Sequence, residues 1–138
     1  MDECVLCNSV DENIIYKNSL FRIILVNDEF YPGFVRLIIN EHIKEMSFLD
    51  EKDSLKIFDA ILKIEKILLE VYNPDKINLA SFGNVVPHVH WHIIPRFKID
   101  RHYPNPVWGE VTHSSYKPSQ KLLDCEKKLI NKLHDVIL

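Results

Sequence analysis

The feature that most limits what this chain can fold into is the run HVHWHII, which begins at His88. Alternate side chains of a β-strand point to opposite faces, so His88, His90 and His92 are predicted to line one face. The apolar residues between them are predicted to pack into a core on the other face. Pro87 and Pro95 suit the two ends of such a strand, because proline has no N–H to donate to the ladder.

Three alternating histidines can be a coincidence, a metal site or a catalytic site. The chain has seven histidines, so some near neighbours are expected by chance, but alternation within an apolar strand is much harder to reach that way. Imidazole is a common metal ligand. Strand residues two apart are separated by ~6.6 Å and the outer pair by ~13 Å, so all three can hardly share one tetrahedral ion. One histidine can still serve a metal while another does chemistry.

Length and composition bound the class of protein. A chain of 138 residues, 46% of them hydrophobic, predicts one domain over residues 1–138 with a modest core. Its net charge of -3 gives no electrostatic argument for binding a nucleic-acid polymer. No apolar run approaches the ~20 residues of a membrane span, the first residues lack a signal pattern, and three cysteines do not read as a disulfide framework. We therefore expect a soluble cytoplasmic protein with no membrane partner.

A second candidate site is the CxxC motif formed by Cys4 and Cys7. Such a motif can be a redox pair, part of a metal site or two reduced thiols without a metal. A thioredoxin-like role requires the motif in a turn between a strand and a helix, whereas here it lies at the start of the chain. A closed zinc site requires two more ligands, commonly Cys or His.

The periodicity of apolar residues predicts an α+β fold with five strands and two helices. The predicted strands cover residues 14–16, 20–26, 34–40 and 76–81 and the histidine run. A long helix is predicted within residues 46–72, with Asp50 at its N-terminus and Asn73 and Pro74 at its end. A second helix is predicted from Ser119 onward.

The long helix carries more apolar surface than one core contact requires. One predicted face consists of Leu55, Phe58, Leu62, Leu69 and Tyr72. A further set widens this stripe and consists of Ile57, Ile61, Ile64 and Leu68. The extra width predicts a second surface to cover, such as a subunit interface.

The sequence resembles the histidine triad (HIT) family of nucleotide hydrolases and transferases, whose signature is three histidines separated by single apolar residues. The resemblance covers nearly the whole chain. Other segments that fall where HIT proteins carry comparable ones are residues 31–34, 39–42, 78–84 and 105–109. The chain is most similar to compact bacterial-type HIT hydrolases of the diadenosine tetraphosphate hydrolase-like kind. This resemblance implies a five-stranded antiparallel sheet, two helices and a homodimer.

The resemblance also implies a structural zinc site and a set of nucleotide-binding residues. The implied zinc ligands are Cys4, Cys7, His42 and His88. The residues that would hold the nucleotide and its phosphates are Asn27 or Asp28 for the ribose, and Asn78, Gly83, Asn84 and His92 for the phosphate. An ordinary turn residue is the alternative for Asp28.

The catalytic role implied by the resemblance falls on His90, with His92 beside it. Neutral His90 would attack the α-phosphorus of a nucleoside phosphate derivative, and water would then release the nucleoside monophosphate from a nucleotidyl-imidazole. Two alternatives remain: a metal-dependent hydrolase with its ion at His90 and His92, and a nucleotide-binding protein without turnover. The leaving group stays open.

Two positions depart from the family pattern, and a third is ambiguous. Phe34 stands where many HIT proteins have a histidine, so any polar role of that residue is absent. Val85 stands where several have Ser or Thr, whose hydroxyl can help the leaving group. Trp108 is predicted to close over the nucleotide, to cross to a partner subunit or to be a plain core residue.

Overall fold

The fold is an antiparallel sheet of five strands that carries its helices on one face. The computed structural model of the chain describes residues 3–136. In chain order the strands are β1 (Asn13–Lys17), β2 (Phe21–Leu25), β3 (Val35–Ile39), β4 (Lys76–Ala80) and β5 (His90–Arg96). The α-helices are α1 (Glu51–Tyr72), α2 (Gln120–Leu123) and α3 (Glu126–Val136), and a short 3₁₀ helix covers Met46–Phe48. The predicted α+β class with five antiparallel strands is confirmed.

The order of the strands places β5, which carries two of the three histidines, inside the sheet. The order is β1-β2-β3-β5-β4, so β5 is flanked by β3 and β4, and β4 forms an edge. His90 pairs with Ile38, and His92 pairs with Arg36 of β3. On the other side, Ala80 of β4 is the partner of His92. This register decides which side chains surround the histidines.

The prediction for the histidine strand was wrong at both ends. The strand was predicted to begin at His88 and to end before Pro95, whereas it begins at His90 and runs through Pro95 to Arg96. The pairing of β3 with β5 ends at Ile93. Pro95 therefore has no partner on β3 that would require a backbone N–H from it. His88 precedes the strand and is fully buried.

Helix α1 begins and ends with local signals that the sequence contains. The side chain of Asp50 caps it by accepting a hydrogen bond from the backbone N–H of Asp53 at 2.8 Å. Asn73 ends it in the left-handed region with φ of 47°, a conformation that asparagine tolerates better than most residues. The predicted N-terminal cap is therefore confirmed. The C-terminal helix predicted from Ser119 is divided into α2 and α3.

The two apolar faces of α1 are assigned the opposite way round from the prediction. Ile57, Ile61, Ile64 and Leu68, predicted as the extra width, are fully buried against the sheet. The predicted main face is instead largely exposed, and its exposed members are Leu55, Phe58, Leu62 and Leu69. We call these four the outer stripe. Both sets satisfy a helical period, so the sequence alone does not say which one meets the sheet. Within the described residues, no helix is long and apolar enough to span a membrane.

Candidate active site and metal centre

His90 and His92 lie side by side on the face of the sheet that is opposite α1. The residues that alternate with them face the helix: the ring of Trp91 meets Phe58 of α1 edge to face at 5.6 Å, and Ile93 is part of the main core. The rings of His90 and His92 are 5.1 Å apart. The predicted alternation therefore holds for these two histidines.

A backbone carbonyl sets the protonation of His90. Its Nδ1 is 2.6 Å from the carbonyl oxygen of His88. A carbonyl can only accept, so Nδ1 carries the hydrogen and Nε2 carries a lone pair. Burial lowers the pKa of His90, and the charge of Arg36 lowers it further. The result is a neutral imidazole with an unprotonated Nε2.

His92 is held between a cation and aromatic rings. The Nε–H of Arg36 donates a long hydrogen bond of 3.4 Å to its Nδ1, and Phe34 meets its ring edge to face at 5.8 Å. Burial, the charge of Arg36 and the neighbouring His90 lower the pKa of His92 to about 4. His92 is therefore neutral near pH 7.

A cavity of about 390 Å³ opens beside the two histidines. Residues 82–86, His90, His92 and Trp108 line it, and these include the predicted phosphate-binding residues Gly83 and Asn84. Gly83 has φ of +86°, a backbone conformation that residues other than glycine rarely adopt. The turn it makes brings the 82–86 loop against the histidines.

Trp108 lies at the mouth of this cavity and is 53% exposed, which contradicts the plain core alternative. Its ring meets Phe82 edge to face at 4.7 Å, and both rings are 6.1 Å from the ring of His92. Trp108 also lines an adjoining cavity of about 430 Å³, where Asn78 is found. Trp108 therefore lies between the cavity that contains Gly83 and Asn84 and the cavity that contains Asn78.

Asn78 is oriented by a buried ion pair that sequence reasoning missed. Arg96 and Asp100 are almost fully buried and bind each other through two hydrogen bonds of 2.8 and 3.0 Å. Arg96 also donates to the side-chain oxygen of Asn78 at 2.7 Å and to the carbonyl of Asn105. A sequence signal existed, since the apolar strand ends in an arginine with an aspartate four residues later.

Asn27 and Asp28, predicted to bind ribose, line a different cavity of about 310 Å³. Its other walls include Gly33 and Tyr72. The hydroxyl of Tyr72 is buried and has no hydrogen-bond partner among the described residues. Asp28 accepts a hydrogen bond from the backbone N–H of Phe30 at 2.8 Å, which is what a turn residue does. The structure does not bring these two residues into the histidine cavity.

The four predicted metal ligands come together in one cluster. The ligand atoms of Cys4, Cys7, His42 and His88 lie within 4.8 Å of one another. Sγ–Nδ1 distances run from 3.3 to 3.5 Å, and the two Nδ1 atoms are 3.3 Å apart. Tetrahedral zinc, with bonds of about 2.05 Å to nitrogen and 2.3 Å to sulfur, separates its ligands by about 3.3 Å (N–N) and 3.6 Å (N–S). The donor set therefore fits a zinc-sized ion.

His88 connects the metal cluster to the nucleophile candidate. Its Nε2 is 2.6 Å from the carbonyl of Ile39, so Nε2 carries the hydrogen and Nδ1 presents its lone pair to the cluster. Its own carbonyl accepts the hydrogen bond from His90. Across residues 3–136, His90 and His92 belong to no comparable group of three metal-binding side chains, which disfavours the predicted alternative of an ion at that pair.

Comparison with known proteins identifies the family. The HIT domain matches residues 8–99, about two thirds of the sequence, so the chain belongs to the HIT domain family. A histidine triad protein from Bradyrhizobium japonicum has the same fold, with a TM-score of 0.73 and 29% identity over 93% of this chain and 92% of that one. The resemblance stated from the sequence is confirmed.

Two curated relatives carry names that describe reactions. The chain is 25% identical over 107 residues to the asymmetrical bis(5'-nucleosyl)-tetraphosphatase of Schizosaccharomyces pombe, covering 74% of this chain and 59% of that protein. It is 34% identical over 98 residues to the bis(5'-adenosyl)-triphosphatase of Saccharomyces cerevisiae, covering 66% and 47%. The chain therefore spans about half the length of these relatives.

Proposed function

We propose that this protein hydrolyses a nucleoside phosphate derivative at its α-phosphorus through a covalent intermediate on His90. The observation that carries the proposal is the hydrogen bond from His90 Nδ1–H to the carbonyl of His88. It leaves Nε2 as a free lone pair on a side chain that lines a cavity, and a neutral, oriented imidazole is a competent nucleophile.

The chemistry takes two displacements at phosphorus. Nε2 of His90 forms a bond to the α-phosphorus as the bond to the leaving group breaks, and the leaving group departs with the bonding electron pair. Water then attacks the same phosphorus, the N–P bond breaks, and the nucleoside monophosphate leaves. His90 recovers its lone pair and the proton from water passes to solvent. The same pathway serves a transferase when another acceptor replaces water.

Donors around His90 would hold the phosphate oxygens as charge develops on them. His92, Gly83 and Asn84 line the same cavity. Asn78 contributes through its amide: a guanidinium only donates, so the bond from Arg96 fixes the amide oxygen and leaves the N–H₂ free to donate. Arg96 thus orients Asn78 without meeting the substrate.

Asn27 and Asp28 remain the residues proposed to bind the ribose, in the cavity that they line. Its lining includes the carboxylates of Asp11, Asp28 and Glu126, which accept hydrogen bonds from hydroxyls and repel phosphates. The unpartnered hydroxyl of Tyr72 adds a group that can bind a sugar hydroxyl. These features support a neutral, hydroxyl-rich occupant.

Zinc is proposed as a structural ion held by Cys4, Cys7, His42 and His88. All four positions of a tetrahedral ion are filled by protein ligands, and an ion of this kind contributes to folding rather than to the reaction. The cluster joins the N-terminal segment to the residue whose carbonyl orients His90.

A cytoplasmic location also stays a prediction, and it is supported by the three unpaired cysteines of the described residues.

A substrate panel tests the proposed reaction. Purified protein is incubated with dinucleoside tri- and tetraphosphates, nucleoside phosphoramidates and adenylyl sulfate, and nucleoside monophosphate is measured by chromatography. We expect the monophosphate from at least one class, and the names of the relatives favour the dinucleoside polyphosphates. Nucleotide binding without product from any class would contradict the enzyme proposal and favour a binding protein.

We also propose a homodimer that buries the outer stripe of α1. Its four large apolar side chains are between 43% and 62% exposed, and β4 is an edge strand with Leu79 39% exposed nearby in the fold. Several large apolar side chains exposed on one face of a helix support an interaction site there. Light scattering is expected to give about twice the 16.3 kDa of one chain.

The dimer is tested by placing a charge in the stripe. Leu62→Glu is expected to shift the protein to the monomer, because a carboxylate would be buried without a partner. Lys56→Glu changes an exposed residue of the same helix outside the stripe and is expected to stay dimeric. A wild-type monomer at micromolar concentration would refute the dimer.

A further inference from the structure

Arg36 is the charged side chain closest to the histidine pair, and nothing in the sequence pattern points to it. It lies on β3 directly opposite His92. The other buried arginines bind carboxylates, Arg22 at Glu12 and Arg96 at Asp100. Among residues 3–136, Arg36 forms no ion pair within 4.0 Å. Glu12 acts on Arg36 only through its charge, because its carboxylate is bound to Arg22, so the half-buried guanidinium of Arg36 carries a desolvation cost that no direct ion pair offsets.

The hydrogen bonds of the two histidines require opposite tautomers. His90 donates from Nδ1 to a carbonyl, so its Nε2 is unprotonated. His92 receives a hydrogen bond at Nδ1 from Arg36, and a guanidinium has no lone pair to offer in return. Neutral His92 must therefore carry its hydrogen on Nε2. His90 therefore presents a lone pair at Nε2, whereas His92 presents an N–H donor at Nε2.

We propose that Arg36 is a positioning residue that holds His92 in the Nε2–H tautomer, so that His92 donates a hydrogen bond to a phosphate oxygen of the substrate attacked by His90. The inference rests on the proposed function and adds a residue to it. Without Arg36, neutral His92 could place its hydrogen on Nδ1, and its Nε2 lone pair would then repel the phosphate oxygen.

The surroundings of His92 support a neutral donor rather than an acid. Arg36 faces it from β3, His90 is its neighbour on β5, and the remaining contacts are the rings of Phe34, Phe82 and Trp108. No carboxylate of residues 3–136 is paired with it. Burial and the charge of Arg36 lower the pKa of His92, so the only proton that His92 offers near pH 7 is the one on its neutral tautomer.

Side chains that match arginine atom for atom separate the two properties of Arg36. In Arg36→Gln the amide Nε2 can superpose on the arginine Nε, so a donor is kept and the charge is lost, while the amide oxygen on the same carbon adds an acceptor. In Arg36→Met a methyl group takes that position, so both are lost. Arg101→Met removes an arginine that stacks on Phe30 and serves as the control.

The test combines the tautomer with the rate. Ring ¹⁵N shifts of His92 are measured by NMR on each folded variant, with thermal melting as a check, and kcat and KM are measured on the best substrate of the panel. We expect Nε2–H in wild type and in the control, and also in Arg36→Gln when its amide presents the N–H₂ to Nδ1 of His92. In Arg36→Met we expect Nδ1–H to appear and kcat to fall in proportion to the fraction of that tautomer, with the ~10²-fold loss of one oxyanion donor as the upper bound and kcat affected more than KM.

Two results would overturn the inference: Nδ1–H on His92 in the wild type, or Arg36→Met with wild-type tautomer and kcat. A general loss of packing would lower melting temperature and affect Gln and Met alike, without a change of tautomer. Failure of the proposed function is distinguishable, because wild type would then release no product whatever the tautomer of His92.

Discussion

Replacing His90 with alanine is expected to abolish turnover while nucleoside monophosphate binding stays within about tenfold of wild type, or ~1.4 kcal/mol. The substitution removes the proposed nucleophile, Nε2, but leaves β5 paired on both sides and the candidate metal cluster intact, since His88 belongs to that cluster through its own side chain. Initial rates on the best substrate and calorimetric titration with the monophosphate measure the two effects separately.

Two other histidines serve as comparisons for that variant. His92→Ala removes a donor rather than the nucleophile, so its loss is expected nearer ~10²–10³-fold. His134→Ala changes an exposed residue of α3 and is expected to have wild-type kinetics. Appreciable turnover by His90→Ala would rule out covalent catalysis by this residue.

Loss of the metal is expected to have the second large effect. Wild-type protein should contain about one zinc per chain, and the double variant Cys4→Ser with Cys7→Ser should contain none. The melting temperature should fall, because an ion bound only by the assembled site adds its binding free energy to folding. Activity should fall as well, since His88 would lose the metal ion that holds it and its carbonyl would no longer fix the ring of His90.

Elemental analysis and thermal melting check this prediction, and Cys125→Ser provides the matched control. Cys125 donates to backbone carbonyls of Val71 and Lys121 and lies outside the metal cluster. Its substitution is expected to leave the metal content unchanged. A double variant that keeps its zinc would contradict the assigned ligand set.

Those parts of the fold that depend on local signals could be predicted from the sequence. A few consecutive residues are enough to indicate the N-terminal cap at Asp50, the end of the helix at Asn73 and the short β-branched strands. The face of α1 that meets the sheet could not be predicted, because the isoleucine set and the outer stripe have the same period. Which one is buried depends on how α1 docks, and that is a long-range property.

The candidate site divides in the same way. Alternation along one strand was enough to single out His90 and His92, and the CxxC motif with the family resemblance indicated the metal cluster. Arg36 was missed because its proposed role depends on the register between β3 and β5, two strands that are separated in the sequence by the fifty residues 40–89. For the same reason the sequence did not reveal that Asn27 and Asp28 line a separate cavity.

Trapping the intermediate tests the central claim most directly. Wild-type protein is quenched during turnover of the best substrate, digested and analysed by mass spectrometry. The account predicts a nucleotidyl adduct on the peptide that contains residues 88–94, with fragmentation placing it on His90 and no adduct in His90→Ala. An adduct on His88 or His92, or steady turnover with no adduct on any histidine, would contradict it.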